Sequence, residues 1–229
     1  MGVSNIITFD AHDHRVSNAI PLTGFDNVRP TYQMLKALTR AVPDVKFDPD
    51  NLVFISPDEG AMGRSMYYSS VLGVGLGMFY KRRNYSVVID GKNPIEAHEY
   101  LGPSVEGKDV VVVDDMISSG DSILDVSAQL KAKGARRVFL FTTFGLFVSG
   151  PEVFDRAYEQ GLFDKCFTTN LIYTSPEVQE REWYCSVNMC KYVAYIIDTL
   201  NHDNSISELL NPVQRIHSLM DAHNAKEDI

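Results

Sequence analysis

Val110-Val111-Val112-Val113-Asp114-Asp115-Met116-Ile117-Ser118-Ser119-Gly120-Asp121-Ser122 decides how the rest of the chain is read. Four consecutive β-branched apolar residues suit a strand buried on both faces, which belongs inside a parallel sheet. Two acids and a run of small residues follow. A helical stripe then begins, with Ile123, Leu124, Ala128 and Leu130 on one side and Lys131, Lys133 and Gly134 marking its end. In an open α/β sheet, ligands collect outside the carboxyl ends of the strands, and a helix N-terminus offers a phosphate unpaired N–H groups and the positive end of its dipole. Ser118, Ser119, Gly120, Asp121 and Ser122 can wrap such a phosphate with backbone and hydroxyl donors. Asp114 and Asp115 can accept hydrogen bonds from vicinal sugar hydroxyls, so the segment has the parts for a phosphorylated pentose. Read by itself, it is also an ordinary strand-to-helix turn with Asp121 as a cap.

Outward from this segment the same alternation repeats. Short apolar runs predict strands at Asn5–Phe9, Leu52–Ser56, Gly75–Tyr80, Val110–Val113, Val138–Thr142 and Lys165–Thr169. Amphipathic stretches predict helices at Pro30–Ala41, Gly60–Leu72, Asp121–Lys133, Glu152–Gln160 and Cys190–Leu200. The expected fold is α/β, a central mostly parallel sheet with helices on both faces. No repeat or low-complexity linker divides it. One domain over residues 1–212 is expected, followed after Asn211-Pro212 by a polar segment, 213–229, that reads as a short peripheral helix with a frayed tail. A strand this close to Met1 hints at a fragment of something longer, though many intact proteins also open with a strand.

Composition narrows the partners. The chain has 229 residues, 45% hydrophobic, with 21 Lys plus Arg against 30 Asp plus Glu, a formal charge of −9. Such a surface repels nucleic acid and anionic membrane, so an anionic ligand must meet local donors or a metal. Cys166, Cys185 and Cys190 are odd in number and form no C-x-x-C pair, which argues against a disulfide framework or thiolate zinc site and fits a reducing cytoplasm. The opening MGVSNIITFDAHDH lacks the basic-then-apolar pattern of a leader, and no apolar run reaches membrane-spanning length.

Three other strand ends carry polar groups toward the same rim: Asp10-Ala11-His12-Asp13-His14, Ser56-Pro57-Asp58-Glu59-Gly60 and Lys81-Arg82-Arg83. Singly, each reads as a surface or capping feature. Together they supply oxygen and imidazole ligands for a divalent metal and fixed cations for phosphate charge.

At these residues the chain resembles the ribose-phosphate pyrophosphokinase family, whose domains have the type I phosphoribosyltransferase fold. The resemblance runs in order through Ile6-Ile7-Thr8-Phe9-Asp10-Ala11-His12, Ile55-Ser56-Pro57-Asp58, Tyr80-Lys81-Arg82-Arg83, Val113-Asp114-Asp115-Met116-Ile117, Leu146-Phe147-Val148-Ser149-Gly150-Pro151 and Ser205-Ile206-Ser207-Glu208-Leu209-Leu210. It matches only the second half of that family, whose enzymes carry a preceding related domain.

The resemblance implies transfer of diphosphate from ATP to ribose 5-phosphate, with Mg2+ as the metal, in a homo-oligomer. Residue by residue, it implies magnesium-associated roles for His12 and Asp58 with Asp10 beside them, and a catalytic basic pair in Lys81 and Arg83. Asp114 and Asp115 fall on the acids that hold the ribose hydroxyls, Ser118 to Ser122 on the 5-phosphate loop, and Arg64 is a candidate further phosphate contact. The chain departs from the family in that loop, where an Asp-Thr-x-Gly-Thr pattern is common, and at Asp13, His14, Arg15, Ala61 and Phe144. Two rivals stay open: a phosphoribosyltransferase acting on a nucleobase, and a non-catalytic regulatory relative of the synthase. The N-terminal residues before Asp10 are too few for a base-recognition hood, and a pure scaffold has no need of charges converging on one rim.

Overall fold

The computed structural model describes residues 2–83 and 95–227, with the backbone alone for 81–83, 95–98 and 226–227. Its main body is a seven-stranded sheet. In chain order the strands are β3 (Leu52–Ser56), β4 (Gly75–Arg83), β5 (Ile95–Leu101), β6 (Asp109–Ile117), β7 (Arg137–Gly145), β8 (Lys165–Thr169) and β9 (Tyr184–Val187). Their spatial order is β5-β4-β3-β6-β7-β8-β9, parallel throughout except for the antiparallel edge strand β5.

Period-two alternation along the central strands splits the apolar side chains between two cores. Val53, Ile55, Val110 and Val112 face one core together with Ile123, Val126 and Leu130 of α3 (Asp121–Ala132) and Phe154 of α4 (Glu152–Glu159). Leu52, Phe54, Val111 and Val113 face the other. There they meet Leu35 and Leu38 of α1 (Thr31–Ala41), Tyr68 of α2 (Met62–Leu72) and Ile196 of α6 (Cys190–Asn201). Both faces are therefore covered, as the sequence predicts.

Two of the differences from the sequence reading lie toward the ends of the chain. The first strand, β1 (Asn5–Phe9), pairs in parallel with β2 (Gly24–Val28) in a separate two-stranded sheet, joined through a 3-10 helix at His14–Ala19. Its side chains are exposed or half-buried, so it caps the core as an outer layer and adds no strand to the main sheet. The second is the C-terminal helix, numbered α8 after two short helices, α5 (Pro176–Gln179) and α7 (Ser207–Leu210). At Val213–Glu227 it is 15 residues long, and it inserts Ile216 and Met220 into the α1 core while His223 Nε2 donates to Val45 O at 2.8 Å. Apart from His223, the polar residues described between Gln214 and Asn224 face outward and conceal this apolar stripe in a composition count. No helix among the described residues is long and apolar enough to cross a membrane.

The sheet reverses its winding between β3 and β6. From β3 the chain crosses through α2 on one face to β4; from β6 it crosses through α3 on the other face to β7. Crossovers leaving in opposite directions open a crevice outside the carboxyl ends of these two strands. The candidate residues gather there.

Candidate functional site

β6 continues past its valines because the ladder to β7 does not depend on side-chain polarity. Asp114 pairs with Thr142, Met116 with Phe144 and Ile117 with Gly145. The two acids thus sit on the strand itself, and the pleat sends them to opposite sides: Asp115 is buried and Asp114 is partly open to solvent. A cleft of about 760 Å³ lies in front of them. His12, Asp58, Arg64, Asp114 and Asp115 all line it, which brings three of the four predicted strand ends together.

His12 is exposed, yet its Nδ1 lies 2.8 Å from Asp115 Oδ2. That hydrogen bond, and the charge of Asp115 behind it, raise the imidazole pKa above its ordinary value. Burial works to raise the Asp115 pKa, but hydrogen bonds with Asp114 and His12 and the charge of Arg64 outweigh it and hold this carboxyl low. Asp114 goes the other way. Burial first, then the hydrogen bond and charge of Asp115, push it up to about 7. The pair therefore shares charge unequally, with Asp115 ionised and Asp114 the proton holder.

Arg64 stands one turn into α2 with only 10% of its side chain exposed. Burial opposes its charge, but three carboxylates sustain it. Its Nε donates to Asp10 Oδ1 at 3.1 Å, and its Nη1 lies 3.7 Å from Asp114 Oδ1 and 3.8 Å from Asp115 Oδ1. Where the sequence suggests a phosphate contact, the structure places the internal counter-ion of the acid cluster. Asp10 is likewise committed inward. Its other oxygen accepts from Thr143 Oγ1 at 2.7 Å, and its backbone is held at φ 43°. Asp tolerates that left-handed conformation better than most residues. With both oxygens engaged, Asp10 anchors β1 to the end of β7 and is not aimed at a metal beside His12.

Among the described residues no group of three or more His, Cys, Asp or Glu side chains is gathered to enclose a metal ion. The donor set on the cleft wall, Asp58 and the Asp114–Asp115 pair with His12 nearby, is oxygen-rich. It fits a hard cation held by one or two carboxylates and completed by water and substrate phosphate, which is how magnesium is usually bound. Asp58 is fixed for such a role, since its Oδ1 accepts from Ala61 N at 3.2 Å and its carbonyl from Ser56 Oγ at 2.6 Å.

Ser118 to Ser122 follow Met116 and Ile117 directly and open α3, just beyond the cleft lining. Gly120 has φ 96°, and a Cβ there would approach the buried Phe154 ring to 2.5 Å. Ser119 Oγ donates to Asp121 Oδ2 at 2.9 Å, which pins the loop from within. Gly120→Ala combines a left-handed backbone with a clash against a packed aromatic, so urea unfolding should show a loss of about 2–3 kcal/mol. A loss below about 0.5 kcal/mol would mean that the loop relaxes freely.

The side chains of Lys81 and Arg83 lie outside the described residues; the backbone carries both to the carboxyl end of β4, beside the crevice. Sequence reasoning missed Thr143, whose hydroxyl donates to Asp10 and orients it, and Tyr80 and Met116 in the cleft wall. The polar Thr142-Thr143 step ending an apolar strand was the available signal for the first.

The phosphoribosyl transferase domain model matches residues 26–181, from within β2 to just past α5, and takes in the crevice apart from the His12–Arg15 segment. The chain belongs to this family. The ribose-phosphate pyrophosphokinase of Vibrio parahaemolyticus is similar to this phosphoribosyl transferase domain protein at 28% identity over 213 residues, covering 92% of this chain and 62% of that one. That of Ureaplasma parvum is 28% identical over 176 residues, covering 76% and 50%. The chain thus spans half to three-fifths of the length of these curated relatives. A crystal structure of phosphoribosylpyrophosphate synthetase from Mycobacterium smegmatis superposes with a TM-score of 0.71 at 19% identity, over 89% of this chain and 60% of that one, a likeness of fold.

Proposed function

We propose that this phosphoribosyl transferase domain protein carries the ribose 5-phosphate-binding half of a cytoplasmic, homo-oligomeric ribose-phosphate diphosphokinase, which uses Mg-ATP as diphosphate donor. The observation that carries the reading is the Asp114–Asp115 pair at the switch point, directly ahead of a small-residue loop that opens α3. The names of the relatives support it.

In the proposed reaction the anomeric hydroxyl of ribose 5-phosphate attacks the β-phosphorus of ATP. A new C1–O–P linkage forms, the bond from the β-phosphorus to the bridging oxygen breaks, and AMP departs as the hydroxyl loses its proton. Asp114 and Asp115 orient the sugar by accepting from its vicinal hydroxyls, and the Ser118–Ser122 loop holds its phosphate. Lys81 and Arg83 meet the charge that develops on the transferring group, a contribution of ~10³-fold or more in comparable phosphoryl transfers. Asp58, with His12 beside it, would hold magnesium, which would supply charge neutralisation to the triphosphate.

Because the relatives extend well beyond the matched length, sugar binding is assigned to these 229 residues and efficient turnover is not. Phosphorus NMR with ribose 5-phosphate, ATP and magnesium tests both parts. The expected result is a shifted sugar phosphate signal with little AMP. An unperturbed sugar phosphate, or coupling of 5-phosphoribosyl diphosphate to a free base, would overturn the reading.

A further inference from the structure

A second cleft, of about 800 Å³, opens where α1, α6 and α8 meet the edge strand β9, and it shares no lining residue with the first. Lys36 and Arg40 reach it from α1, Lys191 from α6 and Arg215 from α8, and no Asp or Glu lines it. In a chain with 30 acids against 21 bases, that segregation of charge needs a cause. Among the described residues none of the four cations pairs with a carboxylate.

Tyrosine rings hold three of them in place. The Arg215 guanidinium carbon sits 4.5 Å from the Tyr32 centroid, with Lys36 Nζ 5.8 Å from the same ring. Lys191 Nζ lies 5.4 Å from the Tyr195 ring. A cation–π contact orients a head group without neutralising it, and a guanidinium lying on a ring keeps its N–H edge free for an oxyanion. Tyr32 therefore brings two like charges from separate helices together, a repulsive arrangement that an anion relieves.

We infer that this cleft binds a compact, polyphosphorylated small molecule at a site separate from the sugar phosphate crevice. Several positive charges set around a bowl call for a ligand with several negative charges close together. Three of the four approach from helices α1 and α8 and do not follow the β9 edge, which favours a compact anion over an extended acidic peptide. The net charge of −9 disfavours nucleic acid.

Amide chemical-shift mapping with sodium tripolyphosphate, without divalent metal and in ~0.15 M salt, tests this inference. Shifts are expected along residues 32–41, 185–195 and around Arg215. Lys191→Gln, an exposed substitution, should weaken tripolyphosphate at this cleft by about tenfold to a hundredfold. Lys36→Gln combined with Arg215→Gln should remove the shifts, and both variants should leave the ribose 5-phosphate titration unchanged. Shifts confined to residues 114–122, wild-type affinity in Lys191→Gln, or tighter binding of a hexaglutamate peptide at the same residues would each overturn the inference. The ribose 5-phosphate titration is read separately, so failure here leaves the proposed function standing.

Discussion

Arg64→Met is expected to cost about 3–5 kcal/mol of folding stability at neutral pH, the scale for removing one partner of a buried charge cluster. The argument is one of desolvation. Asp10 and Asp115 are almost entirely removed from water, and with Asp114 they share Arg64 as a cation, with His12 reaching Asp115 alone. Methionine fills much of the volume and returns no charge. Against a total stability of about 5–15 kcal/mol for a typical domain, such a loss brings the molecule near its unfolding threshold. Adding Asp10→Asn should recover part of the loss, because it removes the carboxylate closest to the missing guanidinium. Urea unfolding of the two single variants and the double variant gives the coupling. A single-variant cost under about 1 kcal/mol would show that the acids find solvent or protons at little expense.

Asp114→Asn should stabilise the protein at pH 8 and do so by less than half as much at pH 5. The sign follows from proton counting. Asp114 rises from 3.8 to about 7 in the folded state, so between those values the folded protein holds a proton that the unfolded chain has lost. Stability contributed by that proton is complete below 3.8 and is lost as pH climbs through about 7. At about 1.4 kcal/mol per unit, the displacement from 3.8 to about 7 corresponds to ~4 kcal/mol. Coupling to Asp115, and the 25% of the Asp114 side chain that faces water, bring the expected gain at pH 8 to about 2 kcal/mol. Asn lacks this titration, so its stability profile should be flatter from pH 5 to 8. On the proposed function it should also weaken ribose 5-phosphate, since an amide nitrogen replaces an accepting oxygen. Equal stability differences at pH 5 and pH 8 would sink the assignment of the shared proton to Asp114.

Buried strands were legible because a two-sided core leaves a continuous apolar run. β3 and β8 fall on the predicted limits, and β6 and β7 extend them only where backbone pairing outlasts apolar side chains. The strands that went unread are β2, β5 and β9, each at an edge or outside the main sheet. Gly24-Phe25-Asp26-Asn27-Val28 and Ile95-Glu96-Ala97-His98-Glu99 carry polar residues that composition assigns to loops. Within the site, Asp58, Asp114 and Asp115 were legible from the strand-end rule. The inward commitments of Asp10 and Arg64 were not, because they depend on a left-handed backbone and on contacts 54 residues apart along the chain.

The small β1–β2 sheet has a thermodynamic consequence. Beyond the packing of Ile7, Phe9 and Val28 on the core, two polar clasps hold it over the rim of the main sheet: Asp10 reaching Arg64 and Thr143, and His12 reaching Asp115. A ligand that engages Asp115 and the His12 segment at once adds a third. Closure of this outer layer and occupancy of the crevice are then reciprocal, each favouring the other by the same factor. Hydrogen exchange at Ile6 to Phe9 would accordingly report ligand binding from a layer that contributes no strand to the sheet beneath it.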